Sequence, residues 1–185
     1  MDRLPFRATQ AYSVYSSITR LPVTVLLDNV RSMYNVGAFF RTADAAGIDR
    51  LLLSGITSYP PKNGIRKTAL GSEETVAWEY ARDPIPFLDR LAKEGTQIAA
   101  IETSVHAVDL FDWKPAFPVC LVFGHEVDGI GPEVAARCDA HIRIPMLGRK
   151  HSLNVATAGG VAIFELLRKY RCSLTPSWHE SPQRP

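Results

Sequence analysis

Ile144-Pro145-Met146-Leu147-Gly148-Arg149-Lys150-His151-Ser152-Leu153-Asn154-Val155 is the stretch on which the fold turns. An apolar strand ends at Pro145, whose ring nitrogen has no hydrogen for a strand ladder. Gly148 and three basic residues make a loop, and Ser152 and Asn154 then open a long helical pattern over Leu153–Tyr170. A strand end that runs into a helix start presents free backbone N–H and C=O groups, here with a hydroxyl and a carboxamide beside them. Such a place binds a small polar molecule. Arg149, Lys150 and His151 indicate that something anionic comes close.

Upstream, short apolar runs rich in β-branched residues alternate with helical spacing. The expected strands are Val23–Leu27, Arg50–Leu53, Gln97–Ile101, Val119–Phe123 and His141–Ile144. The expected helices are Asn35–Ala46, closed by Gly47, then Ile65–Leu70, Pro84–Glu94 and Pro132–Arg137. Tyr59-Pro60-Pro61-Lys62-Asn63-Gly64 reads as an irregular loop. Strands that alternate with helices and are apolar on both faces form a parallel sheet covered on each side. Residues 1–21, with Arg3, Arg7 and Arg20 among Tyr12 and Tyr15, read as an N-terminal arm. Residues 22–172 read as one α/β domain, and 173–185, with three prolines, as a loosely ordered tail.

The totals are those of an ordinary globular chain: 185 residues, 46% hydrophobic and 22% charged. A net charge of +2 is too small to argue for nucleic acid by itself; a local patch is the better sign. Cys120, Cys138 and Cys172 are odd in number and form no C-x-x-C pair, so reduced thiols in a cytoplasmic protein are expected, with neither a disulfide frame nor a zinc site. Met1-Asp2-Arg3-Leu4-Pro5 opens no apolar run, so no secretory leader is expected, and no stretch approaches the ~20 apolar residues of a membrane span.

Three segments, in this order, resemble the TrmH/SpoU-type RNA ribose methyltransferases of the SPOUT superfamily. They are Leu27-Asp28-Asn29-Val30-Arg31 running into Asn35-Val36-Gly37-Ala38-Phe39-Phe40-Arg41-Thr42-Ala43, then Leu121-Val122-Phe123-Gly124-His125-Glu126-Val127-Asp128-Gly129-Ile130, then Ile144-Pro145-Met146 with Ser152-Leu153-Asn154-Val155-Ala156. The resemblance implies a parallel α/β sheet whose C-terminal part threads a deep trefoil knot, a homodimer, and S-adenosylmethionine bound in the knot. It also implies methylation of a ribose 2′-hydroxyl in tRNA or rRNA. His125 departs from the family pattern, where many relatives carry Asn.

The resemblance carries the site residues with it. Arg41, Asn35, Glu126, Ser152 and Asn154 match catalytic positions. Arg41 has been cast as a general base, which sits awkwardly with a guanidinium that never deprotonates. A bidentate grip on the phosphate beside the target ribose suits it better. Asn35 and the Ser152–Asn154 pair can also serve as helix caps, and Glu126 as an orienter of Arg41 or Asn35. Phe123, Gly124, Ile144, Met146, Ser152 and Leu153 match positions lining the donor pocket. Arg31, Arg41, Arg66, Lys67, Arg149 and Lys150 are the expected RNA contacts. No metal ligand set is present in the sequence, and the glycines do not form the G-x-G-x-x-G of a dinucleotide site. Gly159-Gly160 inside the last helix offers a flat surface for close packing, in the core or at a dimer seam.

Overall fold

A computed structural model describes residues 20–104 and 107–174. The arm residues Arg3, Arg7, Tyr12 and Tyr15 and the tail beyond Leu174 lie outside that range. Seven strands form one sheet: β1 (Leu21–Asp28), β2 (Ile48–Ser54), β3 (Ala77–Ala81), β4 (Gln97–Ile101), β5 (Val108–Asp109), β6 (Val119–Phe123) and β7 (Ala140–Arg143). Their order is β3-β2-β1-β6-β4-β7-β5, and each pairing is parallel. The helices are α1 (Met33–Ala46), α2 (Asn63–Ala69), α3 (Ile85–Lys93), α4 (Pro132–Ala135) and α5 (Val155–Leu174). None of them is long and apolar enough to cross a membrane.

Strand alternation assigns the two faces. Val25, Leu27, Leu51, Leu53, Leu121 and Phe123 pack with Phe39 and Phe40 of α1 and with Ala162, Ile163 and Leu166 of α5. Leu26, Leu52, Cys120 and Val122 face the other way, onto Phe87, Leu88 and Leu91 of α3 and Val134 of α4. Both faces are dry, so central strands such as Val119–Phe123 are apolar throughout. The expected parallel sheet with helices on both sides is the observed one.

Two strands escaped the sequence. β3 has a half-exposed burial pattern and pairs with β2 alone, as an edge strand. Its Glu79 is retained by Arg50 at 3.3 Å and Arg90 at 3.0 Å, a polar pattern that reads as loop when seen in one dimension. β5 is only two residues long and depends wholly on β7.

Helix ends bring two corrections. The N-cap of α1 is Ser32, not Asn35: its hydroxyl accepts the Asn35 N–H at 3.3 Å, which places Asn35 inside the first turn. The last helix continues to Leu174, beyond the expected start of the tail. Gly47 closes α1 with φ 65°, as expected. In α5 the two glycines separate clearly. A Cβ on Gly159 would stand 2.2 Å from the Phe39 ring, so this glycine lets α1 and α5 meet in the core, whereas Gly160 faces open space.

Candidate active site

The C-terminal ends of β4, β6 and β7 open on a cavity of about 460 Å³, in the size range of small-molecule sites. Its walls include all six residues expected to line a donor pocket: Phe123, Gly124, Ile144, Met146, Ser152 and Leu153. The floor is firm, because the Phe123 ring lies 5.0 Å from Phe39, which fills the space left by Gly159. Gly124 follows β6 and opens a tight hairpin, in which His125 and Gly129 exchange backbone hydrogen bonds of 2.9 and 3.0 Å. A Cβ on Gly124 would meet the Gly129 carbonyl oxygen at 2.3 Å. Only glycine permits that approach.

Three polar side chains from three distant segments meet at the cavity rim. Glu126 accepts the backbone N–H of Arg31 at 3.0 Å and of Ser32 at 3.2 Å, and the Asn35 carboxamide at 3.1 Å. Asn35 Oδ1 in turn accepts Asn154 Nδ2 at 3.1 Å. Asn154 Oδ1 accepts the N–H groups of Ala156 and Thr157, at 2.9 and 3.3 Å, and so caps α5. The direction of this relay has only one solution. An ionised carboxylate only accepts and the helix-start amides only donate, so both carboxamides must point as they do. Each keeps a second Nδ2 hydrogen for a ligand.

Glu126 is a charged anchor. Removal from water raises its pKa, but hydrogen bonds from the backbone amides of Arg31, Glu126 itself and Ser32, and from Asn35, outweigh that effect and hold it below the usual carboxylate range. His125 Nδ1 lies 3.3 and 3.1 Å from the backbone nitrogens of Val127 and Asp128 and 3.0 Å from the Asp128 carboxylate, so the ring is held within the hairpin.

The structure therefore brings Asn35, Glu126, Ser152 and Asn154 to one rim. It does not bring Arg41 there. Arg41 lies six residues along α1 from Asn35, about 9 Å on and turned away by about a third of a circle. It is exposed and pairs with neither Asp44 nor Glu126: Asp44 accepts the Thr75 hydroxyl at 2.9 Å, and Glu126 is taken by the relay. Of the expected RNA contacts, Arg31, Lys67, Arg149 and Lys150 are exposed, and Arg66 has a loose 3.9 Å contact to Glu73. Sequence reading overlooked Glu102 and Thr103, which line the cavity at the end of β4. The rule that ligands sit beyond the carboxyl ends of parallel strands could have found them once β4 was placed beside β6.

Comparison with known proteins settles the family. Residues 22–164 match the sequence pattern of the SpoU rRNA methylase family. The chain belongs to the SpoU rRNA methylase family. It is 33% identical over 149 residues to the 23S rRNA (guanosine-2′-O-)-methyltransferase RlmB of Vibrio parahaemolyticus, an alignment covering 80% of this chain and 60% of that protein. Among solved structures it resembles the TrmH/SpoU tRNA modifying enzyme of A. aeolicus, with a TM-score of 0.76 and 30% identity over 83% of this chain and 78% of the other. It also resembles the AdoMet-bound rRNA methyltransferase of Sinorhizobium meliloti, with a TM-score of 0.72 and 31% identity over 81% of this chain and 60% of that one. The chain spans about 60% of the length of the curated relatives it matches.

Proposed function

We propose that this chain methylates a ribose 2′-hydroxyl of tRNA or rRNA with S-adenosylmethionine as donor. One observation carries the reading: the Glu126–Asn35–Asn154 relay stands on the rim of a cavity whose walls hold the six expected donor-pocket residues. The cavity fits that donor on chemical grounds. Its apolar side chains (Phe123, Ile144, Met146 and Leu153) suit an adenine sandwich, and Gly124 lets the Gly129 carbonyl close the hairpin tightly beside them. When bound, S-adenosylmethionine supplies a methyl group on a cationic sulfur.

The chain's own groups do the rest. Asn35 and Asn154 each have a second Nδ2 hydrogen beyond the relay, and we assign these to orienting an incoming hydroxyl. Glu126 stays ionised and fixes Asn35, and it adds a negative potential next to the cavity that favours a cationic donor. Ser152, exposed beside them, is a contact for the ribose. Arg41 is the phosphate clamp in this reading, since its guanidinium has no anionic partner among the described residues and cannot act as a base at neutral pH. Arg31, Arg66, Lys67, Arg149 and Lys150 supply further phosphate contacts.

The active unit we assign is a homodimer. Gly160 and Phe164 lie four residues apart on one face of α5, the first open and the second 47% exposed, which leaves a flat apolar strip for a second copy. The segment from Ile144 to Asn154 is the part we assign to the C-terminal knot implied by the resemblance. The free thiols of Cys120, Cys138 and Cys172 suit a reducing compartment, and we assign the cytoplasm.

The test joins calorimetry with S-adenosylmethionine to methylation of total RNA. Donor binding and a product lost on 2′-deoxy substitution of the target nucleotide are expected. Methylation that survives the 2′-deoxy substitution would make this a base methyltransferase, and RNA binding without donor binding would make it a catalytically inactive module.

A further inference from the structure

On the other flank of the sheet, β2 and β3 end in an aromatic patch that neither the cavity nor the relay uses. The Tyr59 ring lies 4.3 Å from Tyr80 and 6.1 Å from Trp78, centroid to centroid, with interplanar angles of 37° and 26°. Tyr59 and Tyr80 are 39% and 37% exposed, and Ile56 beside them is 62% exposed. The cluster is pinned in place. The Tyr80 hydroxyl donates to the Gly55 carbonyl at 2.9 Å, and the Gly55 N–H donates to the Arg82 carbonyl at 3.1 Å. Scattered exposed rings need no explanation, but a fixed contiguous set marks a contact surface.

The surrounding charges identify what would land there. Lys62 Nζ lies 5.6 Å from the Tyr59 centroid, and Lys62, Lys67 and Arg82 are all exposed. The nearby acids are committed elsewhere. Asp83 accepts the Ile85 N–H, Glu73 accepts the Gly71 N–H, and Glu79 sits on the opposite face of β3, held by Arg50 and Arg90. Partly exposed rings with a cation over Tyr59 and further basic residues in the adjoining segments suit a polyanion that carries flat bases. We propose that Tyr59 and Tyr80 form a stacking platform for an unpaired base of the substrate RNA, with Lys62 and Arg82 on its phosphates.

Placement supports the assignment, which rests on the RNA-modifying reading above. The patch and the cavity both lie at the carboxyl-terminal edge of one sheet, and β3 is three strand spacings from β6, about 14 Å. A few nucleotides of single strand bridge that gap. Recognition of this kind reads an unpaired base beside the target ribose, and it discriminates against a continuous duplex.

The experiment measures binding of a short fluorescein-labelled oligouridylate, alone and annealed to its complement, to the full chain. Tyr59→Ala and Tyr59→Leu are expected to weaken single-strand binding about tenfold, the loss of one base–aromatic stack. Tyr59→Phe, which keeps the ring, stays at the wild-type value. Calorimetry with S-adenosylmethionine is unchanged in all three. Equal affinity of wild type and Tyr59→Leu for the single strand overturns the platform, as does a loss shared equally by the duplex probe. A shift in sedimentation with RNA affinity intact would make the patch a seam between protein chains and also overturn it. If wild type binds donor but neither form of RNA, the RNA-modifying reading itself fails; a defect confined to the tyrosine variants leaves that reading standing.

Discussion

At the β6–β7 end of the sheet, a chain of directional hydrogen bonds fixes the side chains: Glu126 holds two backbone amides and Asn35, Asn35 holds Asn154, and Asn154 caps α5. At the β2–β3 end, Tyr59 stacks toward Trp78 and lies tilted against Tyr80, Lys62 reaches over the Tyr59 ring, and Arg82 is exposed. The first region is built from directional bonds that tolerate little displacement. The second is built from stacking and long-range charge, which accept many arrangements. Chemistry on one hydroxyl needs the first kind of surface, whereas holding a chain of varied bases needs the second.

The sharpest way to break this contrast is Gly124→Ala. The added methyl meets the Gly129 carbonyl oxygen at 2.3 Å, so the hairpin must open. Calorimetry should show donor affinity reduced by about a hundredfold or more, near 3 kcal/mol, with RNA binding retained. Asn154→Ala comes next, because it removes the α5 cap and Asn35's partner together. The methylation rate should fall at least tenfold, and loss of the cap, about 1 kcal/mol, should lower the melting temperature by about 2–4 °C.

Glu126→Gln sharpens the comparison through acid titration. The folded carboxyl titrates below its unfolded value, so its stabilisation is complete above the unfolded pKa and is lost as pH falls through the lower folded value. Wild type should lose melting temperature more steeply than Glu126→Gln as pH drops below about 4.3, the ordinary glutamate value. Parallel curves would remove Glu126 as an ionised anchor. Lys62→Ala is the mildest test. Each lost phosphate contact should flatten the slope of log affinity against log salt by about 0.7 for a single strand, with donor binding untouched.

Legibility differed along the chain for physical reasons. The runs at Gln97–Ile101 and Val119–Phe123 appear at their expected positions because strands buried on both faces must be continuously apolar. The Ala77–Ala81 strand was missed because an edge strand keeps Glu79 and half-exposed rings. Ser32 was missed as a cap because the helix pattern was read from its buried apolar residues, and the first of these, Val36, lies a full turn inside. Phe123, Gly124, Ile144, Met146, Ser152 and Leu153 of the cavity wall lie in segments matched by motif resemblance, whereas Glu102 and Thr103 belong to no matched segment.

The amino-acid order on its own determined the alternation of strand and helix and the two dry faces of the sheet, because those depend on local periodicity. Only the folded chain decided that Glu126, Asn35 and Asn154 form one relay, that Gly159 belongs to Phe39, and that Arg41 stands apart. Those facts join residues as far apart as Asn35 and Asn154 or Phe39 and Gly159, and no local pattern encodes which strand will lie beside which.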